Sequence, residues 1–354
     1  MLIDVPAGGA IAPRLLLWWD QHGRKDLPWQ RDPAPYRVWV SEIMLQQTQV
    51  KTVERYYDRF LAEFPDPLTL ANAELDHVLH LWSGLGYYAR ARNLHRAAQL
   101  VRDDHDGELP EDVDALHALP GIGRSTAAAI LALSRNRKYA ILDGNVKRVL
   151  ARYRGVDGWP GKTDVSRTLW AYAEHFTPPT RVSDYTQAIM DLGATLCTRR
   201  KPDCERCPLR KACIGRQDGR IDELPGAKPK RAKPLREVMV LMVMNEDGDV
   251  LLEKRDASGI WGGLWGLPET SVDAEIRESC FRLVGRYPQS VQSRPVVRHS
   301  FSHFDLDMTP VEAHIGKSAP RVMEADRWLW YKLSRPAKVG LAAPVSRLLK
   351  SAGD

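Results

Sequence analysis

The sequence predicts a multidomain chain: an all-α domain over residues 1–220, a basic linker over 221–236 and an α/β domain over 237–354. Three observations predict it. From residue 52 to about residue 195, helix-forming runs follow one another between Gly- and Pro-marked turns, with no strand pattern among them. Cysteines 197, 204, 207 and 213 then fall in the spacing C-x6-C-x2-C-x5-C, which reads as a metal site rather than a disulfide framework. After the Pro- and Lys-rich stretch P-G-A-K-P-K-R-A-K-P-L-R (225–236), the pattern changes to V-M-V-L-M-V-M, N-E-D-G-D, V-L-L-E-K-R, a β-hairpin. A chain of 354 residues with 44% hydrophobic content can bury two cores of its own.

The net charge of +6 favours a polyanionic partner without identifying it. The start of the chain, MLIDVPAGGAIAPRLLLWWD, has no basic leader ahead of its short apolar run, and no apolar stretch is long enough to span a bilayer. The expectation is a cytoplasmic protein that uses no membrane.

Residues 14–22 read as a first amphipathic helix ended by Gly23, and a polar, Pro-rich connection follows. The next helix runs from Tyr36 through S-E-I-M-L-Q-Q-T-Q-V and carries Glu42. Its helical neighbours are Val38, Trp39, Leu45 and Gln46, three of them apolar. A carboxyl on such a face is desolvated, which raises its pKa and favours the protonated form. That suits a general acid, while a glutamate at the edge of a buried stripe would fit the same pattern. Gln46, Gln47 and Thr48 are expected to continue on this helix, with amides suited to base edges. In L-W-S-G-L-G-Y-Y-A-R-A-R-N-L (81–94), aromatic and basic residues interleave, as in surfaces that stack bases and pair phosphates.

Residues 119–149 contain L-P-G-I-G-R, an Ala-rich helix starting near Ser125, and I-L-D-G-N-V-K-R-V. Gly121 and Gly123 permit a tight turn, and the helix N-terminus behind it can receive a phosphate. Asp143, at the mouth of the next helix, reads as its N-cap, and the positive end of the helix dipole is expected to keep it ionised.

L-P-G-I-G-R with L-D-G-N-V resembles the helix–hairpin–helix (about 118–135) and aspartate of the endonuclease III class of DNA glycosylases. S-E-I-M-L-Q-Q-T-Q-V narrows the resemblance to the MutY family of adenine glycosylases. The resemblance covers residues 14–349 and implies that Glu42 protonates the departing adenine and Asp143 stabilises the cation-like sugar. It implies DNA contacts by Gln46, Gln47, Thr48, Gly121, Gly123 and Ser125, and an intercalating ring at Tyr87 or Tyr88, which helps a base leave the stack. The cysteine spacing alone fits zinc or iron–sulfur. The resemblance implies a [4Fe–4S] cluster on Cys197, Cys204, Cys207 and Cys213 in a loop over 197–213, with Arg199, Arg200 and Lys201 beside phosphates. A lysine that would form a Schiff base is replaced by Ser125, so base removal without strand cleavage is expected.

The second half resembles a Nudix (MutT)-like fold. Gly263, Glu269, Arg277 and Glu278 fit its G-x5-E-x7-R-E pattern, but Phe281 and Arg282 stand where the next paired glutamates belong, so the metal-dependent hydrolase is not expected. R-H-S-F-S-H-F (298–304) resembles the MutY-family loop that recognises 8-oxoguanine, implying that role for Phe301, Ser302 and His303. A helix is expected near 272–284 and strands over 291–315 and 326–332. Cys280 is expected in a core. The reading is a monomeric adenine glycosylase acting on duplex DNA with A opposite 8-oxoguanine, or more weakly G. A pyrimidine-lesion glycosylase/lyase, a Nudix pyrophosphate hydrolase and a non-catalytic metal-cluster DNA-binding protein are the alternatives.

Overall fold

The computed structural model describes residues 11–229, 232–316 and 327–353. The chain forms two compact units, Met1–Asn72 with Asn93–Lys230, and Ala73–Arg92 with Arg231–Asp354. The division between them thus falls within the basic 225–236 stretch, but it also gives residues 73–92 to the second unit, a pairing across the chain that no local pattern carries.

The first unit is helical. It contains α1 (Ala12–His22), α2 (Pro35–Leu45), α3 (Val50–Glu63) and α4 (Pro67–Asn72). After α5 (Leu75–Trp82) and the first turn of α6 (Ala89–Asp104), both in the second unit, it resumes with the rest of α6. It continues through α7 (Val113–Ala118), α8 (Arg124–Arg135), α9 (Gly144–Arg154), α10 (Thr163–Phe176), α11 (Val182–Thr195) and α12 (Ile214–Gln217). Apolar side chains at helical spacing meet in one core. Leu15 of α1, Leu150 of α9, Leu169 of α10 and Leu192 of α11 are all fully buried in it. Pro at the first turn of α1 and α2 starts both helices, where a missing N–H costs nothing.

The second unit carries an eight-stranded sheet. Its strands are β1 (Leu235–Met244), β2 (Val250–Lys254), β3 (Trp265–Gly266), β4 (Glu269–Thr270), β5 (Ser290–Ser293), β6 (Val297–Ser300), β7 (Asp305–His314) and β8 (Trp328–Tyr331). The main path is β3-β2-β1-β7-β5, with β4 on β1, β6 on β7 and β8 on β2. β1 and β2 form the expected antiparallel hairpin, and its turn uses Gly248 at φ +78°. β1 and β7 run parallel in register from Leu235↔Asp305 to Met244↔His314, the long-range pairing that organises the sheet. α13 (Ile276–Val284) lies inside the expected helical span, and α14 (Ala343–Gly353) closes the unit. α14 did not stand out in the sequence, and neither did β3 and β4, two-residue strands with no periodicity to detect. Cys280 is fully buried with Leu241, Val243 and Val311.

Candidate active site

Glu42 and Asp143 line one cleft of about 430 Å³ within the first unit. α2 supplies Glu42, with Ser41, Ile43 and Met44 buried around it. Asp143 caps α9: its carboxylate accepts a hydrogen bond from the Val146 N–H at 2.8 Å. Burial, with a smaller contribution from the neighbouring Asp143, pushes the Glu42 carboxyl up to about 8. Burial also raises Asp143, against the lowering effect of the Val146 and Asn145 N–H groups and of Arg148 and Lys147. The helix N-terminus therefore does not outweigh desolvation at Asp143. The two carboxyls still differ in kind. Asp143 has backbone donors and cations to hold its charge, whereas the causes acting on Glu42 all favour the neutral acid.

The hairpin before α8 brings Gly121 and Ser125 toward this cleft. Gly121 sits at φ +80°, and a Cβ there would lie 2.9 Å from the Asn93 Cβ. Gly123 has φ −83° and open space where a Cβ would go, so only one of the two glycines is required by the turn. Gly121→Ala should therefore cost about 1–2 kcal/mol, read by chemical denaturation. Gly123→Ala should fall within about 0.5 kcal/mol of the parent. The Ser125 hydroxyl accepts the Leu142 N–H at 2.9 Å, tying the start of α8 to the loop that presents Asp143.

Gln46, Gln47 and Thr48 all border the cleft, but not on a helix. α2 ends at Leu45, and the three residues form the turn into α3, with Gln47 at φ +55°. The period of the apolar residues ran on past the point where the backbone turns. The Gln46 amide reaches Gly121 O and Thr126 Oγ1, both at 3.5 Å, and so links this turn to the hairpin.

Several cleft residues went unnoticed in the sequence: Arg24, Trp29, Asn145, Gln187 and Met190. Arg24 is held by the fully buried Asp191 through Nε at 3.0 Å and Nη2 at 2.6 Å, and Asp191 also accepts from Trp19 Nε1 and Gln187 Nε2. A lone carboxylate inside the apolar run A-I-M-D-L-G was the available signal, since such a group needs partners.

Tyr87 and Tyr88, both in the second unit, part company. Tyr87 is 52% exposed at φ +50°, with the Arg90 guanidinium over its ring at 5.6 Å. Tyr88 is buried, and its hydroxyl donates to Leu341 O at 2.9 Å. Tyr88 is thus a core residue and not an intercalating one. Adjacent tyrosines cannot be told apart by spacing, and their burial decides.

Cys197, Cys204, Cys207 and Cys213 line a common pocket, all as free thiols. Arg152 directs Nη1 to Cys197 Sγ at 3.5 Å and to Thr198 O at 2.7 Å. Arg148 bonds Cys197 O at 2.7 Å and Asn145 Oδ1 at 2.8 Å, running from the cysteine loop back to the start of α9. Among the described residues no group of three or more His, Cys, Asp or Glu side chains is drawn together as a metal-holding set. The donor set itself fits an iron–sulfur group: four thiols that need deprotonation, beside guanidinium groups that would offset the resulting negative charge. Arg199, Arg200 and Lys201 are exposed on the same loop.

Phe301, Ser302 and His303 form the turn between β6 and β7 rather than a strand. The Phe301 N–H donates to Phe304 O at 2.9 Å, and the two rings stack at 4.6 Å. Phe304 is fully buried, so it anchors the turn while Ser302 and His303 stay exposed. Elsewhere in this unit, Glu269 pairs with Arg255 at 2.5 Å and Glu278 accepts from the Tyr287 hydroxyl at 2.8 Å. Phe281 stacks on Tyr287 at 4.6 Å.

Residues 40–175 match the family described as HhH-GPD superfamily base excision DNA repair protein, and residues 239–351 match the NUDIX domain. The chain is 36% identical over 341 residues to the adenine DNA glycosylase of Buchnera aphidicola subsp. Acyrthosiphon pisum, covering 95% of this chain and 96% of that one. It is 32% identical over 404 residues to the adenine DNA glycosylase of Homo sapiens, covering 96% of this chain and 73% of the human one. Among solved structures, a thermostable thymine-DNA glycosylase is 30% identical with a TM-score of 0.54, covering 58% of this chain and 94% of that chain. A non-covalent endonuclease III–DNA complex, at 21% identity and a TM-score of 0.50 over 58% of this chain and 94% of that chain, shares the fold. Among the described residues no helix is long and apolar enough to cross a membrane.

Proposed function

The chain belongs to the adenine DNA glycosylases of the HhH-GPD base excision repair superfamily, and on that premise we propose that Glu42 and Asp143 break its N-glycosidic bond. One observation carries the reading: both carboxyls line a single cleft, and the causes acting on Glu42 all favour its neutral form while Asp143 has donors for its charge. Glu42 gives its proton to a ring nitrogen of adenine, the C–N bond breaks, and its electron pair leaves with the base. Asp143 holds the positive charge left on the sugar. Water then adds its oxygen to the sugar carbon and releases a proton, leaving an abasic site. Ser125 has no amine for a Schiff base, which supports base removal without strand cleavage.

The mispair read is adenine opposite 8-oxoguanine, and more weakly guanine. The exposed Ser302 and His303, on a turn anchored by Phe304, can offer hydrogen bonds to the oxidised base. Gln46, Gln47, Thr48, the Gly121–Ser125 hairpin and the basic loop at Arg199, Arg200 and Lys201 are assigned to the duplex, and Tyr87 to the base stack. Cys197, Cys204, Cys207 and Cys213 would hold a [4Fe–4S] cluster, which when bound stiffens the basic loop. Arg148 and Arg152 hold that loop's backbone against α9. We read the active form as a monomer that meets its DNA in the cytoplasm.

The test uses a labelled duplex with A opposite 8-oxoguanine. Scission only after hot alkali is the expected result, and scission without alkali would overturn the monofunctional reading. Replacing Ser302 and His303 together by alanine should narrow the preference for 8-oxoguanine over guanine by about 10-fold, the worth of one or two hydrogen bonds. Single-turnover rates on the two mispairs measure it, and an unchanged ratio would remove the turn from recognition.

A further inference from the structure

We propose that Trp261 is a positioning residue for base selection: its indole, brought from the loop between β2 and β3, holds the Phe301–Phe304 turn in the pose that presents Ser302 and His303. The proposal rests on the reading of that turn as the part that meets the base opposite adenine. The Trp261 ring lies 5.2 Å from the Phe301 ring and 5.4 Å from the His299 ring, at 53° to both. These distances fall within the range, about 4.5–7 Å, at which aromatic rings attract. His299 lies on β6 and Phe301 opens the turn, so the indole packs where the turn leaves the strand.

The turn has few restraints of its own. Its backbone is closed by the bond from the Phe301 N–H to Phe304 O, and Ser302 Oγ meets only the adjacent His303 Nδ1, at 3.3 Å. Ordering such a segment costs conformational entropy that packing must offset. Buried Phe304 anchors one end. At the other end, Phe301 O accepts from Lys233 Nζ at 2.6 Å, and the Phe301 ring packs on Trp261. 8-Oxoguanine differs from guanine at two neighbouring atoms, the C8 oxygen and the N7 proton. Telling the two apart requires donors and acceptors held to within about 0.5 Å.

Trp261 is itself firmly held. It sits at φ +55°, a conformation rare for a bulky side chain and kept only where the surroundings impose it. Trp261 O accepts from the Leu264 N–H at 3.0 Å, and the Gly263 N–H donates to Arg255 O at 3.1 Å and Asp256 O at 3.0 Å. A Cβ on Gly262 would lie 2.4 Å from Ala257 O, so the loop is packed against its own backbone. Arg92, from the first turn of α6 in the same unit, donates to Gly262 O at 2.6 Å. The Arg255 guanidinium lies over the indole at 5.9 Å and is fixed by Glu269 at 2.5 Å. Gly263 and Glu269, which fit the Nudix pattern, thus serve the loop that carries Trp261.

The experiment measures single-turnover adenine release opposite 8-oxoguanine and opposite guanine, with melting curves, on full-length variants. Trp261→Asn removes the indole, and asparagine tolerates the positive φ. It should slow release opposite 8-oxoguanine by about 3- to 10-fold, the worth of one or two aromatic contacts, and leave release opposite guanine unchanged. Trp261→Phe, which keeps a ring, should recover most of that loss. Trp261→Leu, which keeps apolar bulk without a ring face, should show the same loss and serves if the asparagine variant does not fold. In the Ser302 and His303 double alanine variant, Trp261→Asn should have no further effect, because the groups it positions are gone. Equal losses on both mispairs would reduce Trp261 to a structural residue and overturn the proposal. An unchanged ratio in Trp261→Asn, with the double alanine variant impaired, would also overturn it while leaving the turn's role intact. A full further loss in the double alanine background would show that Trp261 acts elsewhere. If the double alanine variant keeps its preference, the turn reading fails and the positioning role fails with it.

Discussion

Glu42→Gln should slow adenine release by about 10²–10⁴-fold, the usual contribution of a positioned general acid. Glutamine keeps the shape of the side chain and cannot give up a proton to the base. Duplex binding should hold within a few-fold, because Glu42 lies in the cleft and the basic and hairpin groups assigned to phosphate are untouched. Single-turnover rates and gel-shift affinities on one duplex measure both. An unchanged rate would remove Glu42 from the chemistry. The pH dependence gives a second readout. With the Glu42 carboxyl pushed up to about 8, the rate in the parent should fall as pH rises through that value and the acid is lost. The same shift bears on stability. The folded state holds this proton more tightly than the unfolded one, whose carboxyl titrates near 4.5. Its contribution to stability is thus full below pH 4.5 and is lost progressively as pH rises through about 8. Glu42→Gln removes that loss, so the variant should melt higher than the parent at pH 8 and match it more closely at pH 5. A dead enzyme that gains stability with pH relative to its parent separates a catalytic acid from a structural one.

Asp143→Asn should lower the rate by on the order of 10²–10³-fold, the effect of losing one charge-stabilising group. Asparagine caps a helix about as well as aspartate, so the bond from the Val146 N–H and the start of α9 should survive. The melting temperature should stay near that of the parent or rise, since burial already disfavours the Asp143 charge. Circular dichroism and single-turnover rates separate the two effects. Equal losses of stability and rate would mean that Asp143 acts only as a cap. Because burial raises Asp143 too, the acid limb of the rate profile should lie above the ordinary aspartate range, and the asparagine variant should lose that limb.

The parts of this protein written locally were legible without a structure. Gly121 announced its turn because a positive φ is a property of one residue and its neighbours. Asp143 announced a cap because capping spans three residues. The cysteine spacing, the basic linker and the β1–β2 hairpin are short-range patterns of the same kind. Even so, local pattern overreached where the backbone departs from its period. Apolar spacing carried α2 beyond Leu45, and the second glycine of the hairpin was credited with a freedom it does not use.

What the chain determined by itself, then, was its class, its two cores, its motifs and the carboxylates worth testing. Only the tertiary structure decided how those groups behave. It put Tyr88 in a core and left Tyr87 on the surface, though the two are adjacent and identical in type. It joined Arg24 to Asp191 across 167 positions, and it drew residues 73–92 into the second unit. It also set two effects against each other at Asp143, whose charge the helix favours and burial opposes. The physical reason is one of range. Backbone torsion, capping and spacing are settled within a few residues, whereas desolvation and ion pairing depend on whatever the fold brings close from elsewhere in the chain.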